Sequence, residues 1–375
     1  MWQKGRQISK TTSIFAPLQS GRYYNLLLFR SITATLSQVS RIIGNDPALV
    51  IAAVRLLSHQ KKAAALRQKC EEEGVQVPPV MMISLTHRCN LSCHGCYMQA
   101  QHREMSPEMT LDQIRSLITQ AALLGVSFLV LAGGEPMVRK DAILALSREF
   151  PEIIMAVYTN GTLITSDVAA EIGGLKNLVP IISIEGDQEE TDARRSEGVY
   201  ASAVQAFSYL TENKVFFGCS VTVTHSNYSY VTGDEFIREM IHHGCRLLTY
   251  VEYVPVQSGT EDCVLTDLQH TELTGLINGF SEKYPALFLS FPGDESLYGG
   301  CLSAGRGFLH INPSGDLEPC PAAPFSDVNI TRVSLKEALQ SEFLARIRSC
   351  HGMLSESEGG CALWKNREWT RSMLG

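Results

Sequence analysis

Two hydrophobic textures alternate through the middle of the chain. Short, nearly unbroken apolar runs lie at 80–85, 126–131, 153–158, 178–184, 216–224 and 247–254. Between them, apolar positions recur at helical spacing over 111–124, 141–149, 167–173, 199–213 and 234–243. Continuous apolar runs are what strands show when both faces of a parallel sheet are covered. The alternation therefore predicts an α/β fold built from βα repeats, as a barrel-like or doubly wound sheet. In both, chemistry belongs at the C-terminal ends of the strands.

The flanks differ from this middle. Leu26, Leu27, Phe29, Ile32, Leu36, Val39, Ile42 and Ile43 repeat at helical spacing. Asn45-Asp46-Pro47 interrupts them, with Asp46 placed to cap and Pro47 to open a second helix that runs to about residue 74. Pro78-Pro79 reads as a boundary. Beyond 285, residues 308–318 read as a hairpin around Pro313-Ser314-Gly315-Asp316. Residues 334–349 read as one helix, with Ser334 as N-cap and Glu337 three residues later. The expected division is a helical extension at 1–77, a βα body at 78–285 and a small hairpin-plus-helix region at 286–375. Residues 322–333 offer few apolar anchors.

Composition narrows the partners. The net charge of −7 and pI near 5.8 give no general basic field, which speaks against nucleic acid. No run reaches the ~20 apolar residues of a membrane span, and the best stretch, 48–57, is broken by Arg55. Residues 1–10 are basic but no signal-type hydrophobic region follows, so a cytoplasmic location is expected. Eleven cysteines in a reducing compartment point to metal or catalysis before disulfides.

Residues 82–97 read MISLTHRCNLSCHGCY, a strand entering a loop with Cys89, Cys93 and Cys96 spaced Cys-x3-Cys-x2-Cys. Three thiolates on so short a loop can converge on one metal centre. A [4Fe–4S] cube held by three cysteines keeps one iron open for another ligand. The alternative is zinc with His94 or His87 as fourth ligand, although structural zinc sites usually draw two ligand pairs from separate segments.

The segment resembles the signature of the radical S-adenosylmethionine (SAM) superfamily, Cys-x3-Cys-x-aromatic-Cys. It departs from that pattern in having Gly95 at the aromatic position and Tyr97 after the last cysteine. The resemblance implies a partial (β/α)6 barrel and an open iron that chelates the amino and carboxylate groups of SAM. It implies an electron from the cluster that cleaves the sulfonium to methionine and a 5′-deoxyadenosyl radical, with a reductant such as ferredoxin or flavodoxin as partner. Further motifs match in order. Residues 129–136 read LVLAGGEP, so Gly133, Gly134 and Glu135 follow a strand; paired glycines there let backbone approach a ligand. In the family this segment contacts the SAM amino group. Asn160 lies in Thr159-Asn160-Gly161-Thr162 after the third strand. Ser183-Ile184-Glu185-Gly186 resembles a Ser-x-Asp-Gly segment, with Glu185 replacing Asp near the ribose. Arg195 falls where relatives place an arginine facing the SAM carboxylate; alternatively Arg194 and Arg195 are solvated helix charges. Tyr97 completes this cofactor set.

The last fifth of the chain holds Cys301, Cys320, Cys350 and Cys361. Residues 301–320, CLSAGRGFLHINPSGDLEPC, resemble the opening of SPASM and shorter twitch extensions, which bind auxiliary iron–sulfur clusters. Cys361 would be the third ligand and Cys350 the candidate fourth, with His310 and His351 as substitutes; alternatively the four are unrelated thiols. A full set of seven cysteines is absent, so at most one auxiliary cluster is expected. The substrate is left as a small molecule or a peptide, because the N-terminal extension lacks the strand-rich pattern of a peptide-binding domain. The reading of another class is a non-catalytic iron–sulfur electron carrier, which would need none of the SAM motifs.

Overall fold

A computed structural model describes residues 42, 47–101, 107–291, 300–354 and 361–374. The expected helical repeat over Leu26 to Ile43 and the Asp46 cap lie outside those residues, Ile42 excepted. The chain opens with α1 (Pro47–Glu72), a single helix starting at the expected proline. The barrel then follows as β1 (Val80–Ser84), α2 (Leu111–Leu124), β2 (Phe128–Ala132), α3 (Lys140–Glu149), β3 (Ile154–Thr159), α4 (Ser166–Gly173) and β4 (Leu178–Ile184). It continues through α5 (Gln188–Arg195), α6 (Val199–Glu212), β5 (Gly218–Val223), α7 (Asp234–His242), β6 (Leu247–Glu252), α8 (Asp267–Lys283) and β7 (Leu287–Phe291).

All seven strands pair in parallel, in order, as an open sheet curled into a partial barrel. Six were expected. β7 and the helix before it were missed, although Thr266 and Gln269 form a reciprocal capping box, a signature visible in the sequence. The tail does not stand apart from the sheet. β8 (Phe308–Ile311) pairs in parallel with β1, and β9 (Leu317–Glu318) returns antiparallel to it as the expected hairpin. The expected helix at 334–349 is broken. Ser334 and Glu337 cap a single turn, and Ser341 then caps α9 (Glu342–Ser349) by accepting from the Leu344 N–H. A serine hydroxyl that serves as a new cap ends one helix and starts another.

Alternation along each strand sorts two cores. Met81, Ile83, Leu129, Leu131, Met155 and Val157 face the helical layer, in one large cluster that also takes in Ala323, Ile330, Phe343 and Leu344 of the tail. The tail is thus anchored by apolar packing as well, against the sequence expectation. A smaller cluster of Ile181, Leu247 and Leu287, with Ile42 packed against it, sits near the N-terminal ends of β5–β7. The opposite strand ends carry the site.

Candidate active site

β1 runs directly into the cysteine loop, which is stitched to the loop after β2. Leu85 N–H donates to the Ala132 carbonyl, Gly134 N–H to Thr86 and Glu135 N–H to Arg88, each at 2.8 Å. A Cβ on Gly133 would lie 2.6 Å from the Thr86 carbonyl oxygen, and one on Gly134 would collide with the Arg88 carbonyl. Gly133 also has φ 135°. The close approach that this glycine pair serves is therefore to the cysteine loop itself, where the sequence had suggested a ligand.

Glu135 binds three segments together. It is 1% exposed and accepts from Met137 N–H at 2.9 Å, Thr159 Oγ1 at 2.7 Å and Asn160 N–H at 2.8 Å. Burial raises its pKa, with the Asn160 N–H the largest opposing influence. Asn160 in turn donates through Nδ2 to Asn90 Oδ1 at 2.9 Å, and Asn90 Nδ2 donates to Thr162 Oγ1 at 2.8 Å. The strand ends of β2 and β3 thus hold the cysteine loop from below.

The three loop cysteines share one neighbourhood. Burial raises the Cys89 thiol pKa, and the neighbouring Cys93 and Cys96 add to the rise. Burial also raises that of Cys93, opposed by Arg195 and Arg194. Among the described residues no three side chains already stand as ligands to a single ion. A cube bonds each thiolate to a different iron, so its ligands sit wider apart than those of a mononuclear site. Three thiols on one loop fit that donor set. His87, a candidate zinc ligand, places Nε2 3.4 Å from Ser314 Oγ, while His94 is held through its N–H on the Arg194 carbonyl.

Beside Cys93 lies a buried charge cluster. Glu185 Oε1 accepts from Arg194 Nη1 at 2.5 Å and from Arg195 Nε at 2.7 Å, and Oε2 accepts from Thr222 N–H at 3.2 Å. The two arginine side chains are 18% and 12% exposed, so neither is a solvated helix charge. Burial opposes the Arg194 charge, yet Glu185 outweighs it and raises the pKa. Ser183 lies near the end of β4, two residues before Glu185, and pairs with Ser220 of β5, while Tyr97 opens the single helical turn after Cys96.

The tail brings three of its four cysteines together. Burial raises the Cys320 thiol pKa well above its usual range, and Cys361 and then Cys301 push it further. Cys350 caps the C-terminus of α9, with its sulfur 3.7 Å from Ser349 Oγ. His310 is engaged elsewhere, fully buried with Nε2 2.8 Å from Ser84 Oγ and Nδ1 2.8 Å from Glu318 Oε2. Gly359 and Gly360 lie outside the described residues. The tail also reaches the first loop, through Gln101 Nε2 to the Pro321 carbonyl at 2.6 Å and Met109 N–H to Pro313 at 2.7 Å.

With this geometry in place, residues 83–240 match the radical SAM superfamily. That segment is a radical SAM domain. That family uses a [4Fe–4S] cluster and SAM. It is 30% identical over 152 residues to the Fe-coproporphyrin III synthase of Methanosarcina barkeri, a match covering 40% of this chain and 38% of that one. It is 29% identical over 280 residues to the mycofactocin maturase MftC of Mycolicibacterium smegmatis, covering 67% and 66% of the two chains. The fold is shared with Streptococcus suis SuiB bound to SAM, at TM-score 0.64 and 20% identity over 81% of this chain and 77% of that one. Asn90 and Thr222 beside the cysteine loop and Glu185 carried no signal in the sequence, because each enters through a partner distant along the chain.

Proposed function

We propose that the chain reductively cleaves SAM and uses the resulting radical to mature a peptide. In this reading Cys89, Cys93 and Cys96 hold the cluster, and the observation that carries it is their mutual proximity beside the Glu185–Arg194–Arg195 group. Bound there, the cluster supplies the electron that divides SAM into methionine and a 5′-deoxyadenosyl radical. The electron itself comes from a ferredoxin or flavodoxin. Gly133, Gly134 and Glu135 set the loop's height over the strand ends, and Asn160 ties it to β3. Arg195 lends positive charge to the SAM carboxylate while Glu185 keeps its guanidinium oriented. Tyr97 and Ser183 line the same mouth. Cys301, Cys320 and Cys361 hold one auxiliary cluster in the tail after β7, which covers the barrel mouth.

Peptide maturation is favoured because identity over a long span is higher to MftC, 29% over 280 residues, than to the AdoMet-dependent heme synthase of Oleidesulfovibrio alaskensis, 24% over 307. That synthase supports a second reading, a tetrapyrrole substrate. The test is anaerobic reconstitution of the wild type and of the variant with Cys89, Cys93 and Cys96 all changed to Ala. The variant is expected to lose roughly four irons and all 5′-deoxyadenosine formation under dithionite. Retained product would refute the assignment, and a screen of candidate peptides against porphyrins for hydrogen abstraction would separate the two substrates.

A further inference from the structure

Gly95 stands in the middle of the span between Cys93 and Cys96, with φ 67°. A Cβ there would collide with the Tyr253 hydroxyl and lie 2.8 Å from its Cε2 and 2.9 Å from its Cζ. The place that a side chain at 95 would take is filled by a ring from another strand. Tyr253 follows β6, and its N–H donates to the Val223 carbonyl at 2.9 Å, which extends the β5–β6 ladder by one residue. The residue is 5% exposed.

The same loop grips Gly95 twice. Gln257 Oε1 accepts the Gly95 N–H at 3.1 Å. The Tyr253 hydroxyl donates to Thr260 Oγ1 at 2.8 Å, and Thr260 Oγ1 donates to the Gln257 carbonyl at 2.6 Å. The Arg194 guanidinium stands 6.0 Å from the ring centroid, and the Arg194 carbonyl accepts the His94 N–H at 2.9 Å. Ring, amide and arginine thus fix the turn between two of the loop cysteines from outside the loop.

We propose that Tyr253 is a positioning residue for the cysteine loop, its ring replacing from β6 the aromatic side chain missing at position 95. The proposal rests on the assignment of Cys93 and Cys96 as cluster ligands. The ring does the work; the hydroxyl only steadies it.

The test uses anaerobically reconstituted full-length protein and reads SAM affinity together with the electron paramagnetic resonance of the reduced cluster, with and without SAM. Wild type that held no iron, or did not respond to SAM, would overturn the cluster reading itself. Given a responsive wild type, Tyr253→Phe is expected to match it. Tyr253→Ala is expected to bind SAM about tenfold more weakly with an altered spectrum, as for loss of an outer support of a metal site. Gly95→Ala should fail alone and recover most of its iron when combined with Tyr253→Ala, short of wild type because alanine is strained in the left-handed region. Wild-type affinity and spectrum in Tyr253→Ala, or an unimpaired Gly95→Ala, would overturn the proposal. Should Tyr253→Ala not fold, Tyr253→Leu is read instead, with the same defect expected and a normal SAM response refuting it.

Discussion

Gln101 donates Nε2–H to the carbonyl oxygen of Pro321 at 2.6 Å, joining the turn after Cys96 to the residue after Cys320. The two cysteine groups therefore belong to one packed body, and the tail is fastened at the mouth of the barrel. It is anchored further by the β8–β1 pairing and by apolar packing through Ala323, Ile330 and the buried face of α9.

The iron count of the tail follows from this arrangement. The variant lacking Cys89, Cys93 and Cys96 should keep roughly four irons, one remaining cube. Further replacement of Cys301 and Cys320 should remove them. Cys350→Ser should leave the count unchanged, since Cys350 sits at the C-terminal cap of α9 beside Ser349, while Cys361 and Cys301 are the thiols that act most on Cys320. No iron in the triple variant after careful reconstitution would show that the tail is a plain lid. Protease sensitivity should rise only around 300–323, because the rest is held by the core.

Gly134→Val should lose both cluster and SAM binding. The added Cβ meets backbone of the cysteine loop, which has no side-chain freedom to give way, and overpacking of this kind costs about 1–3 kcal/mol or more. Iron analysis with calorimetry checks it; normal iron with lost SAM affinity would mean that the glycine faces the ligand.

Glu185→Gln should destabilise the protein by about 3–5 kcal/mol, the usual cost of breaking a buried ion pair from one side. It leaves two half-buried guanidinium groups with no carboxylate between them. Arg195→Gln should cost less, because Arg194 still pairs with Glu185, yet weaken SAM binding more than it weakens folding. Denaturant unfolding and SAM titration of both variants separate the effects.

His270 Nδ1 lies 2.8 Å from both oxygens of Glu252, and that hydrogen bond raises the histidine pKa above its usual 6.5. The stabilisation is fully present below the unfolded value and fades as pH rises through the raised folded one. His270→Gln should therefore cost about 1 kcal/mol near pH 6, with much less lost near pH 9. Urea unfolding at the two values checks the sign, and an equal loss at both would show that the pair is not charge-dependent.

The βα alternation, the parallel sheet and the cysteine motif were legible in the chain itself, because strand burial and ligand spacing are local properties. Pro47 at the start of α1, and Ser334 with Glu337 at the turn before α9, acted as punctuation within a few residues. The union of β8 with β1 was not legible: a parallel pairing across some 228 residues of sequence (Val80 with Phe308) leaves no periodic trace. Nor was the purpose of the glycines. Gly133, Gly134 and Gly95 are small for the sake of Thr86, Arg88 and Tyr253, which only folding brings against them. Sequence could name Glu185, Arg194 and Arg195 but not their union, since whether a helix charge faces water or a buried carboxylate depends on how α5 packs over the strand ends. Local pattern determined the elements and the donor types; long-range packing decided which of them meet.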